Sequence, residues 1–199
     1  MYFHPGFAAR NALACVALAK AGAVASPDIL EGEAGLVAAC ARRPLEGEIE
    51  LFPDGKAEIL EVFNKPVPAC NFAQSPCQAA LRALELAGGS SGRITAVAIE
   101  TSDAAVQYPG CDGTGPFRYP LQAKKSIPFG VAATLAQDTI AESNYDRLDD
   151  AEIDRLISVT RLDSEGSFSA AFPAAQGARV TLTLQGGECV VGELDDVVF

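Results

Sequence analysis

Small apolar residues dominate the start of the chain, and strict alternation appears only in its second half. From Phe7 to Ala21 a helical stretch rich in alanine is ended by Gly22. Ser26-Pro27-Asp28 supplies an N-cap with proline at the first helical position. Ile29-Leu30-Glu31-Gly32 and Leu36 to Arg42 then read as short helices. Around Pro44 the composition turns charged and mixed, with Glu46, Glu48, Glu50, Asp54 and Lys56. A helix is predicted over Ser75–Ala87, stopped by Gly88-Gly89. Arg93 to Glu100 alternates and carries β-branched residues, which predicts a strand. After the turn-rich stretch Tyr108 to Pro120, a second helix is predicted over Gln122–Gln137, with Lys124, Lys125 and Ser126 in its first turn. A short third helix follows over about Asp149 to Leu156. Its acidic start (Asp149, Asp150, Glu152, Asp154) suits a helix N-terminus and asks for no other role. Arg179–Leu184 and Glu188–Leu194 flank Gln185-Gly186-Gly187 as a hairpin. The fold class expected is α+β, with residues 1–45 a helical segment and residues 46–199 an α+β domain. The helical segment looks built to pack inside a larger helical body, so an exposed apolar patch along Ala12, Cys15, Val16 and Ala19 is expected.

One segment departs from these patterns. In Asn64-Lys65-Pro66-Val67-Pro68-Ala69-Cys70 the two prolines fix φ and remove two backbone donors, which excludes ordinary helix and central strand. A rigid extended segment thus enters the Ser75 helix and can hold the Lys65 side chain beside a helix N-terminus, a place that favours anions.

Composition narrows the ligand class. The 199 residues are 49% hydrophobic and 21% charged, typical of a globular chain. Fifteen basic against 26 acidic side chains give a net charge of −11. Nucleic acid and anionic lipid are repelled by such a surface, and an anionic substrate fits only where local cations reverse the field. No apolar run approaches a membrane span. The alanine-rich N-terminus mimics a secretory signal, but Lys20 and Asn11 favour an amphipathic helix. Six dispersed cysteines without a CxxC pair, and a single histidine, His4, offer no zinc spacing, so no metal is expected. Reduced cysteines and a cytoplasmic location are expected.

Three segments together resemble the MmgE/PrpD family, whose members include 2-methylcitrate dehydratase, cis-aconitate decarboxylase and iminodisuccinate epimerase. His4-Pro5-Gly6-Phe7-Ala8-Ala9 with Asp28-Ile29-Leu30-Glu31-Gly32 is similar to the family's HxGxAA…DxLEG segment. Lys65-Pro66-Val67-Pro68-Ala69-Cys70 is similar to its KPYPxC segment. Ala123-Lys124-Lys125-Ser126-Ile127-Pro128-Phe129-Gly130-Val131-Ala132 is similar to its A-x-F-S-x-x-Y-x-V-A helix. The resemblance implies a large helical domain and a smaller α+β lid with the active site between them. This chain would carry the last helices of the former and most of the latter. It implies no cofactor, and chemistry by proton abstraction next to a carboxylate on small di- or tricarboxylates.

Carried over residue by residue, the resemblance makes Lys65 and His4 candidate catalytic groups and Cys70 and Gln74 candidate substrate contacts. Lys124 and Lys125, cations in a first helical turn that the dipole disfavours, are with Ser126 candidate contacts for a substrate carboxylate. Departures are clear. An active-site lysine of relatives falls on Met1, histidines on Cys70 and Gln74, and the tyrosine of the third segment on Phe129. Each change removes a proton carrier. Cys70 as a nucleophile lacks a second histidine as base. The expectation is a hydro-lyase-like or epimerase-like chain working as a homo-oligomer or with a separately encoded helical half. Its alternative is a non-catalytic lid or interaction module.

Overall fold

A computed structural model describes residues 3–41, 55–56, 58–62 and 64–198. The chain divides into two compact units, Met1–Val62 and Phe63–Phe199. In the first, helix α1 (His4–Lys20) begins with Pro5 in its first turn and carries Lys20 in its last, where a cation suits the helix dipole. No α1 residue is buried; Ala12, Cys15, Val16 and Ala19 are all exposed. The helix expected at Ile29–Gly32 is replaced by a chain of turns. Gly32 N–H bonds to Asp28 O, Gly35 N–H to Gly32 O and Leu36 N–H to Ile29 O. A Cβ at Gly35 would lie 2.7 Å from Leu30 O, so this coil closes only on glycine. Helix α2 (Leu36–Ala41) follows. Arg42 and the charged run from Glu46 to Asp54 lie outside the described residues.

The second unit is an α+β fold. Helix α3 (Gln74–Leu86) leads to strand β1 (Ile94–Thr101), the short helices α4 (Asp103–Val106) and α5 (Pro120–Ala123), and helix α6 (Ile127–Gln137). Helix α7 (Ala151–Ser158), strand β2 (Thr160–Ser164), helix α8 (Gly166–Ala171) and strands β3 (Ala178–Leu184) and β4 (Cys189–Leu194) complete it. The sheet order is β2-β1-β3-β4, with β1 parallel to β2 and antiparallel to β3, and β3–β4 the expected hairpin.

Period-two patterning decides which face is inward. Ala178, Val180, Leu182 and Leu184 of β3 are buried, while Arg179, Thr181 and Thr183 point to the other face. Val97 and Ile99 of β1 join the same apolar cluster as Ala79, Ala80, Ala83 and Leu84 of α3 and Ile153 and Leu156 of α7. Helix α6 is buried all round from Ile127 to Leu135, as an almost wholly apolar helix requires. Strand β2 escapes the sequence pattern because Thr-Arg-Leu-Asp-Ser offers one large apolar side chain. A short, charged edge strand needs no more.

Two helices differ from expectation. Helix α7 begins after Asp149 and Asp150 and keeps Glu152 and Asp154 in its first turn, with Asp150 Oδ1 as N-cap accepting from the Glu152 and Ile153 amides at 2.9 and 3.3 Å. The single helix expected over Gln122–Gln137 is two, broken at Lys124-Lys125-Ser126. Pro128 has no N–H to give the Lys124 carbonyl, so the helical ladder cannot run through. The Ser126 hydroxyl restarts it by accepting from Phe129 N–H at 2.9 Å.

Helix α3 and strand β4 approach at backbone distance. A Cβ on Gly192 would sit 2.1 Å from Ala79 O and 2.8 Å from Ala83 N. Gln78 fastens the end of the chain to the same helix, donating to Val198 O and accepting from Val198 N–H. Gly192→Ala is expected to force these layers apart and destabilise the fold by about 2–3 kcal/mol, the upper part of the range for overpacking. A fall in the urea midpoint at unchanged m-value measures it.

Candidate functional site

The proline-flanked loop has few backbone donors of its own, and a side chain makes up the difference. Gln74, the first residue of α3, is fully buried. Its Oε1 accepts from Val67 N–H at 3.0 Å, and its Nε2 donates to Val67 O at 2.9 Å and Cys70 O at 3.0 Å. Both amide hydrogens are thereby used. Gln74 thus clamps the loop from beneath. Val67 is buried with it, while Lys65 stays exposed at the loop's start.

From the other side the loop hangs on the helix break. Cys70 N–H donates to the Lys124 carbonyl at 2.8 Å, the acceptor that Pro128 leaves without an intrahelical partner. The same connector holds a third segment, since Ile127 N–H donates to Cys111 O at 2.8 Å and the Ser126 hydroxyl donates to Gly113 O. Ser126 is buried, and its hydroxyl both caps α6 and pins Gly113.

Lys124 and Lys125 leave the connector in different circumstances. Lys124 is ion-paired with Glu142 and lies 5.5 Å from the Tyr145 ring centroid. Lys125 lies 5.9 Å over the Tyr108 ring, which packs tilted against Phe72 with centroids 5.3 Å apart. Among the described residues, neither Lys65 nor Lys125 forms an ion pair with a carboxylate. Both act on a pair of thiols. Cys70 Sγ and Cys111 Sγ stand 3.7 Å apart, the first half-buried and the second buried. The hydrogen bond from Cys111 lowers the Cys70 thiol to about 7 against the opposing effect of burial, helped by the Ala73 and Phe72 amides and the charge of Lys65. The Cys111 thiol is pushed up by that same bond and by burial, with Lys125 opposing. As a thiol, Cys70 donates to Lys125 O at 3.4 Å; as a thiolate it accepts from Cys111. Cys77, in the core, is raised to about 12 by burial and is inert beside them.

Phe129 occupies a packed interior site, edge-on to Phe117 at 5.1 Å and 5.7 Å from Tyr145. Burial raises the Tyr145 phenol, which keeps its proton. The structure therefore brings Lys65, Cys70, Gln74, Lys124, Lys125 and Ser126 onto adjoining segments of the second unit. His4 is in the first unit, exposed at the start of α1, and Met1 lies outside the described residues. Cys111 is the group that sequence reasoning missed. It lies among turn residues, and no spacing rule ties it to Cys70, because the Lys124–Ile127 connector closes that contact. No group of three or more metal-ligating side chains occurs among the described residues, and no helix among them is long and apolar enough to cross a membrane.

A family model for the MmgE/PrpD C-terminal domain matches residues 67–198. No match to a curated protein is found.

Gln74→Leu is expected to strand the Val67 amide and the Val67 and Cys70 carbonyls, at a net cost of about 2–3 kcal/mol. Denaturant unfolding measures the loss. Hydrogen exchange at the Val67 amide separates the loop from the rest, since it should accelerate well beyond the amides of β3.

Proposed function

The chain belongs to the MmgE/PrpD family, and from that premise we propose that it carries the lid of a lyase or isomerase acting on small di- or tricarboxylates. The observation that supports this reading is the placement of Lys65 and Lys125. They are two cations without carboxylate partners among the described residues, on adjoining segments of a chain with a net charge of −11. A substrate carboxylate meets there the local positive field that the rest of the surface denies it. Removing a proton from the carbon next to that carboxylate drives negative charge onto its oxygens, and fixed cations stabilise this charge more than they stabilise the ground state. Loss of water completes a 2-methylcitrate dehydratase-like reaction, loss of carbon dioxide a decarboxylation, and reprotonation an epimerisation. Lys65 is the proposed catalytic cation and Lys125 its partner at the carboxylate. Lys124 and Cys70 border the same segments. His4 is proposed as a proton carrier on its own evidence as the first unit's sole histidine. The reading includes no cofactor, a cytoplasmic setting, and a partner that is a second copy or a separately encoded helical half.

The test is turnover of 2-methylcitrate, cis-aconitate and iminodisuccinate by the purified chain, alone and co-expressed with any adjacent helical half. Lys65→Ala is expected to lower kcat/KM by about 100-fold or more, the scale of removing one preorganised charge-stabilising group. Lys65→Arg is expected to recover part of it. Absence of turnover under both conditions, in a sample with a cooperative unfolding transition, overturns the reading in favour of a non-catalytic lid or interaction module.

A further inference from the structure

Cys70 and Cys111 are far apart in sequence and lie on loops with no secondary structure in common. Their sulfurs are nevertheless brought within 3.7 Å. The approach is enforced by backbone. Cys70 N–H is bonded to Lys124 O, and the Cys111 carbonyl accepts from Ile127 N–H, so one short connector grips both cysteines by their main chains. Gln74 holds the Cys70 carbonyl from the opposite side. The two thiols are also unequal in access, Cys70 half-buried and Cys111 fully buried behind it. Lys65 lies on the Cys70 side and Lys125 on the Cys111 side, and both favour the thiolate form. An accessible nucleophilic sulfur backed by a buried second thiol is the arrangement of an attacking and a resolving cysteine.

We propose that Cys70 and Cys111 form a reversible dithiol–disulfide site that reacts with low-molecular-weight disulfides and staples the Lys65 loop to the Cys111 loop. The Cys70 thiolate attacks one sulfur of the small disulfide, forming a mixed disulfide and releasing the other half as a thiolate. Cys111 loses its proton to that leaving thiolate or to water, and its sulfur attacks Cys70 Sγ, expelling the second half. Two protein thiols are oxidised by two electrons, and the small disulfide is reduced to two thiols that carry away the two protons. The sulfurs have to close from 3.7 Å to about 2.0 Å, a bonded distance. Side-chain rotation supplies that movement while the connector keeps the backbones in place. Cys77 takes no part, being sealed in the core, and Cys15, Cys40 and Cys189 are exposed thiols outside this pair.

The site is independent of turnover, and its test does not require any. The full chain is incubated with glutathione disulfide, alkylated, digested without reduction and examined by mass spectrometry. A Cys70–Cys111 linked peptide is expected, with both thiols lost in equal measure and both restored by dithiothreitol. In a chain with Cys15, Cys40 and Cys189 changed to serine, Cys111→Ser is expected to trap one glutathione on Cys70. Cys70→Ser is expected to leave Cys111 unmodified. The proposal is overturned if the unaltered chain keeps Cys70 as a free thiol while its exposed cysteines react. It is equally overturned if Cys70 accumulates as a glutathione adduct with Cys111 intact beside it. Because the first measurement uses the unaltered protein, a variant that fails to fold leaves the outcome decidable.

Discussion

A missing hydrogen-bond donor organises this molecule. Pro128 cannot bond the Lys124 carbonyl, so what would be one long helix becomes α5, a three-residue connector and α6. The polar groups at this break, from Lys124 to the first residue of α6, then do the work of a scaffold. The Lys124 carbonyl takes the Cys70 amide, the Ile127 amide takes the Cys111 carbonyl, and the Ser126 hydroxyl reaches Gly113 while capping α6. Two loops that have little regular structure of their own acquire fixed positions from a third element's interruption.

That connector is steady because α6 behind it is buried on every side. Its Gly130 passes so close to α3 that a Cβ would lie 2.9 Å from Cys77 Sγ. Thr134 returns its hydroxyl to the Gly130 carbonyl at 2.8 Å and so hides its only polar group. Across the sheet, Gly192 repeats the same device between β4 and α3. The core is assembled from alanine, glycine and cysteine at its close contacts and from leucine, isoleucine and valine between them. Arg155 closes its lower edge by donating to Ile94 O and Ser91 O while paired with Glu152.

The α+β class, the hairpin and the helices α3 and α7 were legible because each repeats a period that burial enforces. The central strand β1 was legible for the same reason. The break before α6 was signalled by Ser126 and Pro128 but hidden by continuous apolar spacing on both sides of it. Strand β2 could not be read, since an edge strand with one leucine carries no period. Of the site, Lys65 was marked by its flanking prolines. The hydrogen bonds of Gln74 and Ser126 could not be read, because their neighbours in space are backbone groups that no sequence pattern displays. Cys111 depends on a contact set by tertiary structure alone.

The sheet's topology has a consequence in time. Strand β1 sits at the centre, yet Val97 pairs with Thr160 and Ile94 with Leu184, partners far down the chain. A ribosome delivers β1 long before either neighbour, whereas β3 and β4 arrive together and close locally across Gln185-Gly186-Gly187. Contacts of such sequence separation slow folding, because chain closure precedes any reward from pairing. The nascent chain therefore holds β1 with both edges open until β2 is made, and with one edge open until the β3–β4 hairpin emerges. Shielding that open edge during synthesis is a requirement that the finished sheet no longer displays.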